Sequence, residues 1–206
     1  NVPMAKAMKE AVDVPVFVTG RIADPSIAEG ILADGAADMI GMVRALIADP
    51  ELPLKAQQGR PDDIRMCIGM DECHYIGHAR KPVMCAVNPA AGREAEMEIV
   101  PAEIKKTVLV VGAGPAGMEA ARAAALRGHH VYLGDREKAL GGTVRILAQD
   151  PNRRNLADMI VFFQRELRQA KVELLLGDEI EAGVVLEMAP DAVVVATGGR
   201  PFVPEF

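Results

Sequence analysis

At 206 residues, half of them hydrophobic and a quarter charged, the chain has ordinary globular composition and the length of one large or two small domains, two being expected. Its net charge of -6 excludes a general nucleic-acid binder, which needs a basic face, and 3% aromatic content without tryptophan offers no stacking platform for single strands. No apolar run reaches the roughly 18–20 residues that cross a bilayer. Asn1-Val2-Pro3-Met4 lacks a signal-peptide pattern, and three cysteines are an odd number for a secreted disulfide framework, so a soluble cytoplasmic protein is expected.

Val14-Pro15-Val16-Phe17-Val18 reads as a buried strand closed by the loop Thr19-Gly20-Arg21. The next helix is predicted from a cap at Asp24 and Pro25 at its first position. Ile27, Ala28, Ile31 and Leu32 form its apolar stripe, which stops before Gly35. Asp38 to Gly41 is a second strand, and Asp49-Pro50 starts another helix, with Leu52, Leu54 and Ala56 leading to Gly59-Arg60. Alternating strand and helix implies parallel strands joined by crossover helices, in an open sheet or a barrel. Two strands close neither, so residues 1–60 are expected to be the tail of a larger domain and the chain a piece of a longer one.

Residues 61–105 lack periodicity and hold Cys67, Cys73 and Cys85 among scattered glycines and prolines. So long a structureless stretch is unusual in a compact domain, and a linker ordered by a ligand or by its neighbours is expected. His74 and His78 read as loop histidines.

From residue 106 the pattern is regular: an apolar strand Thr107 to Val111, the turn Gly112-Ala113-Gly114-Pro115-Ala116-Gly117, and an alanine-rich helix through Leu126. A strand from His130 to Leu133 ends at Asp135, and Gly141-Gly142 lies in a loop. An amphipathic helix over 153–170 carries Leu156, Ile160, Phe163 and Leu167 on one side. Strands at Val172 to Leu176 and Ala192 to Ala196 follow, the last entering Thr197-Gly198-Gly199.

A lone G-x-G-x-x-G is weak evidence, but this one follows a strand, opens a helix, and is followed by a strand with an acid at its end, as dinucleotide sites require. Gly112 permits the tight turn, Gly114 lets backbone amides approach a pyrophosphate, and Gly117 allows helix to pack on strand. Pro115 and Ala116 begin the helix, whose N-terminus adds partial positive charge. Asp135 is expected to accept hydrogen bonds from ribose hydroxyls, with Arg136 beside it complicating a preference against a 2′-phosphate.

Val108 to Gly117, Leu140-Gly141-Gly142 and Ala196-Thr197-Gly198-Gly199-Arg200-Pro201 together resemble the two-dinucleotide-binding flavoproteins. Val18-Thr19-Gly20-Arg21, Gly41-Met42-Val43-Arg44 and Ala48-Asp49-Pro50 resemble the last two units of the FMN barrel in old yellow enzyme-like proteins. The fusion, with cysteines between, is similar to the trimethylamine dehydrogenase and 2,4-dienoyl-CoA reductase family. The fold implied is α/β: the C-terminal remnant of a (β/α)8 barrel over 1–60, the cysteine segment over 61–105, and an FAD/NAD(P)-binding Rossmann-like domain over 106–206.

The resemblance implies that Gly20, Arg21, Gly41 and Arg44 hold an FMN phosphate. It assigns FAD or ADP to Gly112, Gly114, Pro115, Ala116, Gly117, Asp135, Arg136, Gly142, Thr197 and Gly198. The family's iron–sulfur cluster has four cysteines. Here Cys67, Cys73 and Cys85 are present as metal ligands, but Met70 stands in place of the second. Three readings stay open: a cluster on three cysteines or with Asp71 or His74 as an altered fourth ligand, a degraded site retaining only the fold, or a misread residue at position 70.

The function implied is a flavin-dependent oxidoreductase that passes electrons between the barrel FMN and the second domain through the cysteine segment, with NAD(P)H as a further cofactor. Its small-molecule substrate is a methylated amine or an enoyl thioester. Proton-transfer residues are expected upstream of Asn1, so none is assigned and the chain alone is expected to be inactive. No nucleic acid or membrane partner is expected; a homo-oligomer or an electron-transfer protein stays open. The alternative is a nonenzymatic ADP- or FAD-binding module with a degenerate cluster site.

Overall fold

A computed structural model of the chain describes residues 1–79 and 81–199. It divides into two units, Asn1–Glu98 and Ile99–Phe206, each built on parallel strands. Among the described residues, no helix is long and apolar enough to cross a membrane.

The first unit runs α1 (Val2–Ala11), β1 (Phe17–Thr19), α2 (Pro25–Ala33), β2 (Met39–Gly41), α3 (Arg44–Ala48), α4 (Leu52–Gln57), a 3-10 turn at Pro61–Asp63, and α5 (Glu72–His78). β1 and β2 pair in parallel, with Phe17 opposite Met39 and Thr19 opposite Gly41. Val16, Val18, Ile22, Ile31, Ala36 and Ala37 form a small core with Ala5 of α1, and Ala45, Leu52 and Ile64 form another. α2 starts as predicted, Asp24 accepting a hydrogen bond from the Ser26 amide at 2.7 Å.

Three local differences have physical causes. The first strand begins at Phe17 rather than Val14: Pro15 has no N–H for a ladder, and the Val16 amide donates to the Asp38 carboxylate instead, at 2.8 Å. α4 begins at Leu52 rather than Pro50, because the Asp49 carboxylate accepts the Glu51 amide at 3.0 Å and makes a turn there first. α1 and α5 are helices the sequence pattern did not announce; each buries a single residue, Ala5 and Ile76, so neither has a stripe to read.

The second unit runs β3 (Thr107–Val111), α6 (Pro115–Leu126), β4 (His130–Asp135), α7 (Gly142–Leu147), a 3-10 turn at Pro151–Arg153, α8 (Leu156–Gln169), β5 (Glu173–Leu176), α9 (Ala182–Met188) and β6 (Ala192–Val195). Its sheet has the order β5-β4-β3-β6, and every pairing is parallel. β3 is central, which explains a strand apolar on both faces: Val108, Leu109 and Val110 are all buried.

The predicted side of α8 faces inward, with Leu156, Ile160, Phe163 and Leu167 buried and Met159 and Phe162 beside them. α6 and α8 are clamped by Arg122, buried between them. It donates twice to Glu119, at 2.9 Å each, and once to Glu166 at 3.2 Å. Its guanidinium is desolvated, yet the two carboxylates more than offset this and hold its pKa above the ordinary value. α7 and α9 escaped the sequence pattern because neither contains a buried residue.

Candidate functional site

The glycine turn lies where three chain segments meet. β3 passes into α6 through Gly112, at φ 107, with Gly114 capping the helix and Pro115 in its first turn. A Cβ on Gly112 would overlap the Ala196 carbonyl and stand 3.0 Å from the Thr197 nitrogen. One on Gly117 would overlap the Gly112 carbonyl and stand 3.4 Å from the Ala196 Cβ. These two glycines are required by backbone passing backbone. Gly114 differs: a Cβ there meets nothing within 4 Å, so its missing side chain leaves open the approach to the first-turn amides of α6.

The neighbouring loops close on the same turn. The Gly141 amide donates to the Ala113 carbonyl at 2.8 Å, and a Cβ on Gly142 would lie 3.1 Å from the Gly114 Cα. The Ala196 amide donates to Val111 at 2.7 Å, bringing Thr197 and Gly198 to the turn. Gly112, Gly114, Gly117, Gly142 and Thr197 are thus gathered, with Pro115 and Ala116 opening the helix between them. Arg200 and Pro201 lie outside the described residues.

Asp135 supports this turn from the end of β4, a tie the sequence pattern did not reveal. One carboxylate oxygen accepts the Ala113 amide at 2.6 Å and the other the Glu137 amide at 2.8 Å. A carboxylate offers about four acceptor positions, so two bonds leave capacity for ribose hydroxyls. The residues therefore fit a dinucleotide by two tests: an open face at Gly114 and spare acceptor capacity at Asp135. Arg136 is exposed beside it.

In the first unit the parallel register brings Thr19 and Gly41 level at the C-terminal strand ends, with Gly20 and Arg21 next in the chain. The Thr19 hydroxyl donates to the Gly41 carbonyl at 2.9 Å, fixing the two ends together. Gly20, at φ 120, and Arg21, at φ 57, turn the chain through left-handed conformations. Arg44 opens α3, and one guanidinium nitrogen donates to the Asp71 carboxylate at 3.1 Å. Of five N–H donors that contact uses one, so the residue fits a phosphate as well.

Cys67, Cys73 and Cys85 are all free thiols lining one small pocket partly open to solvent, which Arg44, Met70 and Asp71 also line. Gly69 and Asp71 both take left-handed backbone, φ 67 and φ 61, and bend the segment around Met70.

Two buried polar residues fix this segment. Asp49 accepts the Arg65 amide at 2.8 Å and Lys55 Nζ at 2.7 Å. Asn88 accepts from the Arg65 guanidinium at 3.1 Å and donates to the Ile47 carbonyl at 2.9 Å. The sequence reading took Asp49 only as a cap and missed Asn88; the shared signal is an Asp or Asn directly before proline, at Asp49-Pro50 and Asn88-Pro89.

Burial pushes the Cys73 thiol above its ordinary pKa. The His74 amide opposes this, while the neighbouring Cys85, Cys67 and Asp71 add to the rise. Among the described residues, no group of three or more His, Cys, Asp or Glu side chains is found that could hold a metal ion. His74 and His78 approach each other at 3.1 Å between their Nε2 atoms on the exposed side of α5.

Residues 2–63 match the NADH:flavin oxidoreductase / NADH oxidase family, and residues 106–206 match the pyridine nucleotide-disulphide oxidoreductase family. An NADH oxidase of Thermoanaerobacter brockii is 41% identical over 207 residues, covering 99% of this chain and 32% of that protein. An N,N-dimethylglycine/sarcosine dehydrogenase of Chromohalobacter salexigens is 41% identical over 210 residues, covering 98% of this chain and 30% of that protein. A 2-naphthoyl-CoA reductase, solved as its 2-naphthoyl-CoA complex, superposes with a TM-score of 0.94 at 38% identity, over 99% of this chain and 32% of its own. The chain thus spans about a third of the length of the proteins it matches. The chain thus joins, in this order, a segment of the NADH:flavin oxidoreductase / NADH oxidase family to a segment of the pyridine nucleotide-disulphide oxidoreductase family.

Proposed function

We propose that this chain is part of a flavin-dependent oxidoreductase in which the barrel holds FMN, the Rossmann-like unit holds FAD or ADP, and the cysteine segment carries an iron–sulfur cluster for electron transfer. The full-length protein takes a small-molecule substrate, either a methylated amine or an enoyl thioester, with NAD(P)H as donor in the reductive direction, and works in the cytoplasm. Similarity to a dimethylglycine/sarcosine dehydrogenase and to a naphthoyl-CoA reductase supports both substrate classes without preferring one.

One observation supports the reading: Arg44 stands both near a strand end and at the cysteine pocket. It opens α3 just beyond the strand end at Gly41, and it lines the pocket of the three cysteines. Gly20 and Gly41 bring backbone amides to the FMN phosphate, and Arg21 and Arg44 bring fixed positive charge. In the second unit the first-turn amides of α6, reached past Gly114, receive the pyrophosphate, and Asp135 accepts the ribose hydroxyls. When bound, the flavins supply the hydride and electron chemistry, and the chain's part is to hold and orient them.

The visible spectrum of the purified full-length protein tests this. Flavin bands over a broad iron–sulfur shoulder are expected; a colourless, flavin-free protein would overturn the reading. Met70, where a thiolate is expected, favours a second reading, a nonenzymatic ADP- or FAD-binding module. Anaerobic addition of NADH or dimethylglycine separates the two: bleaching by either supports the enzyme, and bound nucleotide with no bleaching by both supports the module.

A further inference from the structure

Asp71 stands at the N-cap of α5, where an aspartate ordinarily accepts a hydrogen bond from an amide of the first helical turn. Its side chain makes no such bond. One carboxylate oxygen instead accepts from the Arg44 guanidinium, 27 positions earlier, at 3.1 Å, and the other stands 3.6 Å from His74 Nδ1. The backbone at Asp71 is left-handed, φ 61, a conformation that glycine takes freely and that aspartate tolerates better than most residues. Neither the cap nor the turn therefore needs the carboxylate.

Arg44 gains from it. The arginine follows the strand end at Gly41 and opens α3, with a long side chain that has much rotamer freedom to lose. Anchoring one terminal nitrogen on Asp71 fixes the plane of the guanidinium and leaves its remaining donors for a phosphate. The two side chains are 33% and 55% exposed, so the ion pair adds little stability of its own, and its main consequence is orientation.

We propose that Asp71 is a positioning residue for the FMN phosphate: it holds the Arg44 guanidinium in place beside the C-terminal strand ends, and so sets how tightly the phosphate is bound without touching it. This rests on the FMN site proposed above, in which Arg44 meets the phosphate.

The test titrates full-length protein, freed of flavin, with FMN and separately with riboflavin, which lacks the phosphate, while the quenching of flavin fluorescence is followed. Asp71→Gly removes the carboxylate and keeps the left-handed backbone. It should bind FMN roughly five- to tenfold more weakly, the effect of releasing one long side chain, with riboflavin affinity unchanged. In an Arg44→Ala background, itself weakened for FMN, adding Asp71→Gly should change nothing further. Parent-like FMN affinity in Asp71→Gly, an equal loss for riboflavin, or a loss of the same size in the Arg44→Ala background overturns the positioning role and leaves Arg44 at the phosphate. An Arg44→Ala protein that binds FMN as the parent does removes Arg44 from the phosphate, and the positioning role with it.

Discussion

In the unit that begins at Ile99, β3 has a strand on either side, and the largest fully buried side chains among the described residues, Leu109, Met118, Leu133, Leu167, Val110 and Val131, all belong to it. In the unit that ends at Glu98, β1 and β2 pair with each other, and Phe17 and Met39 on them stay 61% and 53% exposed. The first unit also holds buried polar ties: Asp49 joins α4 to the start of the cysteine segment, and Asn88 joins its far end to α3. An apolar core tolerates some repacking, but a polar tie depends on each of its atoms. The two units should therefore fail in different ways.

Asp49→Ala is the sharpest test of that difference. It leaves two backbone amides without their acceptor, and Lys55, its side chain only 14% exposed, with Glu51 at 3.7 Å as its remaining partner. Breaking a buried pair costs about 3–5 kcal/mol. Hydrogen exchange in mild urea should show the first unit opening while β3 and β4 stay protected; equal loss in both units would break the comparison.

Next in size is Gly117→Val, whose Cβ would overlap the Gly112 carbonyl. Overpacking of this kind costs about 3 kcal/mol and should lower the urea midpoint of the second unit. Gly114→Ala separates fold from site in the same turn: the added Cβ meets no atom within 4 Å, so the thermal midpoint should hold. Calorimetry should show ADP binding weakened roughly tenfold, about 1.4 kcal/mol. An unchanged affinity would remove the pyrophosphate from this turn.

The smallest effect is expected at Asp38, which is exposed. Its carboxylate is held below the ordinary value of 3.8 first by the hydrogen bond from Lys9 and then by that from the Val16 amide. A depressed carboxylate contributes stability that is fully present above the unfolded pKa and lost as pH falls through the folded one. Asp38→Asn should thus lower the denaturation midpoint slightly at pH 6, and the gap from the parent should close as pH drops below about 4. A gap that persists in acid would mean that shape, not charge, holds α1 to the first unit.

Gly112 and Gly117 were readable because the turn needs glycine for local reasons, and α8 because its apolar residues recur at helical spacing. Arg44 was expected at a phosphate, and nothing in its neighbours along the chain announced Asp71 as its partner; that contact spans 27 positions. Asp135 was expected to face a ribose, and its bond to the Ala113 amide appeared only when β3 and β4 paired.

By itself the sequence determined the alternation of strand and helix, the glycine turn after β3 and the chemical kinds of the site residues, because propensity, capping and periodicity act over a few residues. Only the tertiary structure decided that three cysteines share a pocket with Met70 and Arg44, that Asp49 and Asn88 bind the cysteine segment, and that Gly114 alone of the turn's glycines faces open space. Those depend on which distant residues meet, and neither spacing nor composition carries that information.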